Sequence, residues 1–264
     1  MEISVIISTY NKYDYLYCVL KSLGTQTFKK FEVIIAEDCE KQEMLEKLKE
    51  WRKEFNFPIE HVFQEDKGFR KCKILNEALK QSKGKYILVV DGDCIVHKKY
   101  LENYYRYFKK GYEVIFGRRC EMSKELSEKI LENKGDYKIT IGKLRHPYSK
   151  AWTECVYLPV ATKLKKRKLR LLGSNMGFTK DIILRINGFN EDFESPGIGE
   201  DSDLQWRFEA VNAKYIGLKN TVLQYHLWHK RNYGFKGPDG WEIFRKTLKN
   251  NEYYTKNGIN KYWR

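Results

Sequence analysis

No apolar run in the 264-residue sequence approaches the ~20 residues needed to cross a bilayer, so a soluble chain or one resting on a membrane surface is expected. Glu2 leads into a strand-like segment rather than a basic start and an apolar run, so no secretory signal is expected either. The six cysteines, Cys18, Cys39, Cys72, Cys94, Cys120 and Cys155, include no C-x-x-C pair. That excludes the usual zinc spacings and a compact disulfide framework, and free thiols in a reducing compartment are expected. Internal repeats and low-complexity linkers are absent, which favours one domain. Acid is in short supply: 35 Asp and Glu stand against 50 Lys and Arg, a formal net charge of +15. An anionic partner follows, and nucleic acid, acidic lipid, acidic glycan and nucleotide diphosphate all qualify.

What is present is core-forming. Hydrophobic residues make up 42% of the chain and aromatics 15%, enough for one large α/β domain. Ile3–Ser8, Phe31–Ala36, Ile59–Phe63 and Tyr86–Val90 read as strands, and Asp14–Ser22, Met44–Phe55 and Lys71–Gln81 between them as helices. This alternation predicts βαβ units, a mostly parallel sheet and helices on both faces. A helix over Tyr100–Lys109 and a strand over Glu113–Phe116 follow. Beyond them the pattern weakens: a polar helical insertion over Ser123–Lys150, helices over Asp181–Asn187 and Ser202–Asn212, Tyr215–Tyr225 strand-like around a turn, and an aromatic, basic tail.

Several clusters could carry chemistry. Tyr86–Val90 runs into Asp91-Gly92-Asp93. Asp-Gly is either a plain turn or, at the carboxyl edge of an open sheet where ligands bind, a site for Mg²⁺ or Mn²⁺ shared with substrate phosphates. In that second reading Asp93 holds the metal, and Asp91 reaches ribose or metal. Glu200 and Asp201 follow the glycine-punctuated Pro196-Gly197-Ile198-Gly199 and open a helix. They serve either its dipole or a sugar hydroxyl as general base. His226 and His229 are either packed residues or metal ligands. Asp66, Gly68, Arg70 and Lys73 form a charged helix start, with Arg70 and Lys73 in reach of a phosphate or a base. The run Lys163 to Arg170 reads as a solvated loop, a nucleic-acid patch or a face on anionic lipid, at about 1 kcal/mol per cation.

Taken in order, Ser4-Val5-Ile6-Ile7-Ser8-Thr9-Tyr10-Asn11, Glu37-Asp38 and Asp91-Gly92-Asp93 resemble the family 2 glycosyltransferases of the GT-A fold, across about residues 2–118 and 172–230. Gly173-Ser174-Asn175-Met176-Gly177-Phe178, Ile186-Asn187-Gly188-Phe189-Asn190 and Gly199-Glu200-Asp201 resemble β-1,4-galactosyltransferases and bacterial chondroitin-type polymerases, as does Phe69 to Asn76. The resemblance implies that Tyr10 stacks on uracil with Ser8 nearby, that Asp38 binds the uridine, and that Asp66 and Arg70 flank the base. It further implies that Asp91 contacts ribose and Asp93 the metal, that Gly173, Ser174 and Asn175 line the donor sugar, and that Glu200 orients the acceptor. Asp201 would deprotonate the attacking hydroxyl, and His229 would complete the metal site. Two departures stand out. The segment before Glu200 lacks the tryptophan of galactosyltransferases, and Gln205-Trp206-Arg207 only echoes the Q-x-x-R-W motif of processive synthases.

The expectation is therefore a single α/β GT-A domain, with residues 1–118 binding the nucleotide-sugar, 119–230 carrying the acceptor side and 231–264 a tail. Its activity would be inverting, Mn²⁺- or Mg²⁺-dependent transfer of a hexose or N-acetylhexosamine from a UDP-sugar to a glycan or lipid-linked hydroxyl, with no nucleic-acid partner. The expected place is the cytoplasm, at the inner face of a bacterial plasma membrane. A nucleotidyltransferase would need a glycine-rich basic loop after its first strand, which Ser8-Thr9-Tyr10-Asn11 is not. A nucleic-acid or membrane-surface binding protein accounts for the charge but not for the acidic strand ends, and a glycosyltransferase-like domain that binds glycan without turnover is separated from an enzyme only by an activity assay.

Overall fold

Alternate residues of the central strands feed two different cores. The computed structural model describes residues 1–140, 156–159, 162–163, 170–197, 199–230 and 239–263. Its first half alternates as β1 (Ile3–Thr9), α1 (Tyr13–Gly24), β2 (Phe31–Glu37), α2 (Gln42–Glu54), β3 (Ile59–Phe63), α3 (Lys71–Gln81) and β4 (Tyr86–Asp91). Ile3, Val5 and Ile7 of β1, with Leu88 and Val90 of β4, pack under α1 and α2 through Leu16, Leu20, Leu48 and Trp51. Ile6, Ile87 and Val89 point the other way, onto Ile74, Leu75 and Ala78 of α3. That is the period-two geometry of a strand covered on both faces. Each such aliphatic residue, fully buried, contributes about 1.5–3 kcal/mol.

The second half comprises β5 (Cys94–Val96), α4 (Tyr100–Phe108), β6 (Val114–Phe116), β7 (Arg118–Glu121), α5 (Lys124–Glu132), β8 (Thr162–Lys163), β9 (Asn175–Thr179), α6 (Lys180–Arg185), α7 (Glu200–Ala210), β10 (Tyr215–Lys219), β11 (Leu223–His226) and α8 (Gly240–Lys249), closed by a 3₁₀ turn at Ile259–Trp263. Among the described residues the main sheet has the order β3-β2-β1-β4-β9-β6-β10-β8. Strands β1 to β4 are parallel, and β9 runs antiparallel between β4 and β6. A second sheet, β5-β11-β7, lies beside the carboxyl edge.

Four details depart from the sequence-based expectation. Gly173 to Phe178, read only as a motif, contains the core strand β9. Tyr215–Tyr225 is split between two sheets. The helix expected over Ser123–Lys150 ends at Glu132, followed by left-handed Lys134 and Gly135; residues 141–150 lie outside the described residues. The tail contains a helix, α8, started by the Asp239 carboxylate accepting from Trp241 N at 3.0 Å.

Cys18, Cys39, Cys72 and Cys94 are buried free thiols. Cys120 is disulfide-bonded, which departs from the all-thiol reading and removes the cysteine argument for a reducing compartment. No helix among the described residues is long and apolar enough to cross a membrane. Of the basic run Lys163 to Arg170, residues 164–169 also lie outside the described residues.

Candidate active site

A cleft of about 510 Å³ opens at the carboxyl edge of β1, β2 and β4, lined among others by Ser8, Tyr10, Lys12, Asp38, Asp66, Lys71, Asp91, Asp93 and His229. A larger recess of about 880 Å³, lined by Lys21, Phe31, Phe55 and His97 among others, contains none of Asp91, Asp93, Glu200 and Asp201. Asp91 and Asp93 line the smaller space, and Glu200 and Asp201 line a small recess that adjoins it at Lys71.

On the nucleotide side, Tyr10 is half exposed, and its hydroxyl donates to Asp66 Oδ2 at 2.9 Å. That bond anchors the phenol at its hydroxyl, and the half-exposed ring is available for stacking. Asp38 is buried at the end of β2, where Gln64 Nε2 and the Arg70 amide (2.8 Å) both donate to its carboxylate. Burial raises its pKa despite those donors. Arg70 turns its guanidinium to the Glu65 carbonyl. Lys73 pairs with Glu77 and Gln64 and lies away from the cleft.

Asp91-Gly92-Asp93 is both a turn and a carboxylate pair, joining β4 to β5. Gly92 donates to the Ser8 carbonyl at 2.8 Å, and any Cβ there would press on Thr9. Ser8 Oγ donates to Asp91 Oδ1 at 2.9 Å. Asp93 faces two imidazoles: His229 Nε2 lies 3.1 Å from Oδ2 and His226 Nε2 3.5 Å from Oδ1. Lys12 Nζ is 3.2 Å from Oδ2. Burial pulls the Asp93 pKa up, but the histidines and Lys12 outweigh it and hold the carboxyl well below the usual range. One ligand atom from each of Asp93, His226 and His229 falls within a 4.8 Å cluster. A carboxylate and two imidazoles converging this closely fit a divalent transition ion.

Beside the cleft, Gly199 adopts a left-handed φ of 85°, with the Gly240 carbonyl where a side chain would sit. That backbone swings Glu200 and Asp201 into the first turn of α7. Gly173 N donates to Asp201 Oδ2 at 2.9 Å. Burial raises the pKa of Asp201, and burial together with Asp201 raises that of Glu200. Glu200 Oε2 is buried without a hydrogen-bond partner among the described residues. Two buried carboxylates with raised pKa values are suited to accepting a proton.

Ser174 is buried, its hydroxyl 3.5 Å from Arg119. Asn175 departs from expectation: its amide donates to the Arg118 and Val222 carbonyls and accepts from the Tyr100 and Tyr104 hydroxyls. With no exposed surface it pins β9 to α4 and does not line the cleft.

Lys71, not singled out in the sequence, is central. Its Nζ lies 2.5 Å from Asp91 Oδ1, and the residue also borders the small recess under Glu200 and Asp201. Helical phase carried the signal: Lys71 shares a face with the buried Ile74 and Leu75, whereas Lys73 faces away.

The sequence matches the description "Glycosyl transferase family 2" over residues 4–166, more than half its length. The chain belongs to that family. Among similar family 2 proteins, chondroitin synthase from Escherichia coli is 29% identical over 239 residues, covering 85% of this chain and 34% of that protein. The poly(ribitol-phosphate) β-N-acetylglucosaminyltransferase TarS of Staphylococcus aureus is 34% identical over 105 residues, covering 39% and 18%. The chain thus spans only a minor part of these relatives. In structure it is similar to S. aureus TarS 1–349 in complex with UDP-GlcNAc, with a TM-score of 0.68 at 20% identity over 93% of this chain and 65% of that one. A Pyrobaculum calidifontis mannosyltransferase, PcManGT, in complex with GDP-Man and Mn²⁺, gives 0.57 at 18% identity over 92% and 60%. These likenesses establish the GT-A fold for this family 2 domain.

Proposed function

We propose that this family 2 glycosyltransferase moves a hexose or N-acetylhexosamine from a UDP-sugar to a glycan hydroxyl, with inversion and with a divalent metal, in bacterial surface polysaccharide or lipooligosaccharide synthesis. One observation carries the reading: Lys71 lines both the cleft that holds Asp93 and His229 and the adjoining recess lined by Glu200 and Asp201, so the metal-type cluster and the carboxylate pair meet at one side chain. TarS and PcManGT, similar in fold, are seen with UDP-GlcNAc and with GDP-Man and Mn²⁺.

Tyr10 and Asp38 receive the uridine, and Asp91 the ribose. Asp93, His226 and His229 would hold the ion, Mn²⁺ more readily than Mg²⁺ because two of the three ligands are imidazoles. Bound there, it supplies positive charge opposite the leaving diphosphate. Lys12 and Lys71 bring two further cations to the same wall. Asp201 takes the acceptor proton as the hydroxyl oxygen attacks the anomeric carbon; the glycosidic bond forms while the bond to UDP breaks. The Gly173 amide fixes which Asp201 oxygen is free to do this. Glu200 orients the acceptor. The formal charge of +15 supports a peripheral position on an anionic inner membrane, where a lipid-linked acceptor would be met.

Calorimetry with UDP and a panel of UDP-hexoses and UDP-N-acetylhexosamines, with and without Mn²⁺, tests the donor side. Metal-dependent binding with one sugar preferred is expected. Absence of nucleotide binding under every condition would overturn the reading and leave a glycan- or surface-binding domain.

A further inference from the structure

The second sheet sets a row of side chains behind the metal cluster. In the β5-β11-β7 register His226 lies between Cys94, the neighbour of Asp93, on one side and Glu121 on the other. Backbone bonds fix the spacing: Leu227 N donates to the Asp93 carbonyl at 2.9 Å and Met122 N to the His226 carbonyl at 3.0 Å. Across this row, Glu121 Oε2 lies 2.6 Å from His226 Nδ1. The other oxygen, Oε1, accepts from Arg119 Nε at 2.8 Å.

An ionised carboxylate has only acceptors, so a contact of 2.6 Å requires the imidazole proton on Nδ1. With its one proton on Nδ1, the ring turns a lone pair on Nε2 toward Asp93 Oδ1, 3.5 Å away. A divalent ion held by Asp93 would meet that lone pair. Among the described residues, His229 Nδ1 meets no carboxylate and lies 3.1 Å from the Lys230 carbonyl. A carboxylate behind a ligating histidine fixes its tautomer and raises its basicity.

We propose that Glu121, held by Arg119, is a positioning residue that locks His226 as a metal ligand and sets the affinity of the site for its divalent ion. This rests on the metal site proposed above and assigns a role to a residue outside it.

The test is Mn²⁺ binding to the full chain in the presence of UDP, followed by calorimetry without turnover, for wild type, Glu121→Gln, Glu121→Ala, His226→Ala and Asp93→Ala. Glu121→Ala is expected to weaken Mn²⁺ by about 10- to 100-fold, with the thermal midpoint and metal-free UDP binding unchanged. Loss in Glu121→Gln as well assigns the effect to the charge; loss in Glu121→Ala alone assigns it to the hydrogen bond; either supports the proposal. Wild-type Mn²⁺ affinity in both Glu121 variants, with loss in His226→Ala and Asp93→Ala, overturns the role of Glu121 and leaves the metal site standing. Unchanged affinity in all four variants overturns the metal site and the proposal with it. Metal-free UDP binding that falls in step makes Glu121 merely structural and also overturns it.

Discussion

Lys71 Nζ and Asp91 Oδ1 lie 2.5 Å apart, and the same ammonium lowers the pKa of both Glu200 and Asp201 in the adjoining recess. Burial, the larger influence, raises both. Lys71 therefore ties the donor wall to the acceptor wall by charge.

The first prediction concerns pH. If Asp201 is the base, activity needs its ionised form, and burial moves that requirement above the ordinary carboxylate range near ~4. Removing the cation in Lys71→Met favours the neutral acid further, so the acidic limb of kcat/KM should move to higher pH, with part of the loss recovered on raising the pH. Lys71→Arg should keep the wild-type limb. A pH–rate profile at saturating Mn²⁺ checks both; an unmoved limb in Lys71→Met would remove Lys71 from this role.

The second concerns the base itself. Asp201→Asn should lower kcat by about 10²–10⁴-fold, the usual worth of a general base, while UDP binding is kept. Lost nucleotide binding would assign Asp201 to the donor instead.

Gly173 offers a subtler probe. A methyl group there would collide with the Asp201 carboxylate that the Gly173 amide holds. Gly173→Ala should displace the carboxylate and cost on the order of 10²-fold in kcat, as misplacement by about 1 Å does. Unchanged kcat would mean that the Gly173 contact does not position the reacting oxygen.

Chelation is the fourth test. Treatment with EDTA should abolish transfer and weaken UDP binding, and Mn²⁺ should restore both in wild type but not in Asp93→Ala. Full transfer after exhaustive chelation would rule out the metal.

The fifth concerns stability behind the site. Arg207 is buried, with Nε 2.7 Å from Asp203 and Nη1 donating to the Ile186 and Gly188 carbonyls at 3.1 and 2.8 Å. It clamps α7, and hence Glu200 and Asp201, to the turn after α6. Arg207→Met strands a buried carboxylate and should cost about 3–5 kcal/mol in urea unfolding. Adding Asp203→Leu should recover part of that; a cost below about 1 kcal/mol would show the pair to be dispensable.

Periodicity and punctuation in the sequence determined the βαβ half, the acidic strand ends at Asp38 and Asp91, and the placement of Glu200 and Asp201 at a helix start after glycines. Those features depend on neighbours within a few residues, where a period of two or 3.6 can be read directly. Tertiary structure alone decided that Asn175 pins the core, that both His226 and His229 meet Asp93, and that Glu121 stands behind His226. Each of these depends on the register between segments far apart in the chain, such as β5, β7 and β11. One step of register would turn these side chains to the other face, and no local pattern records that choice.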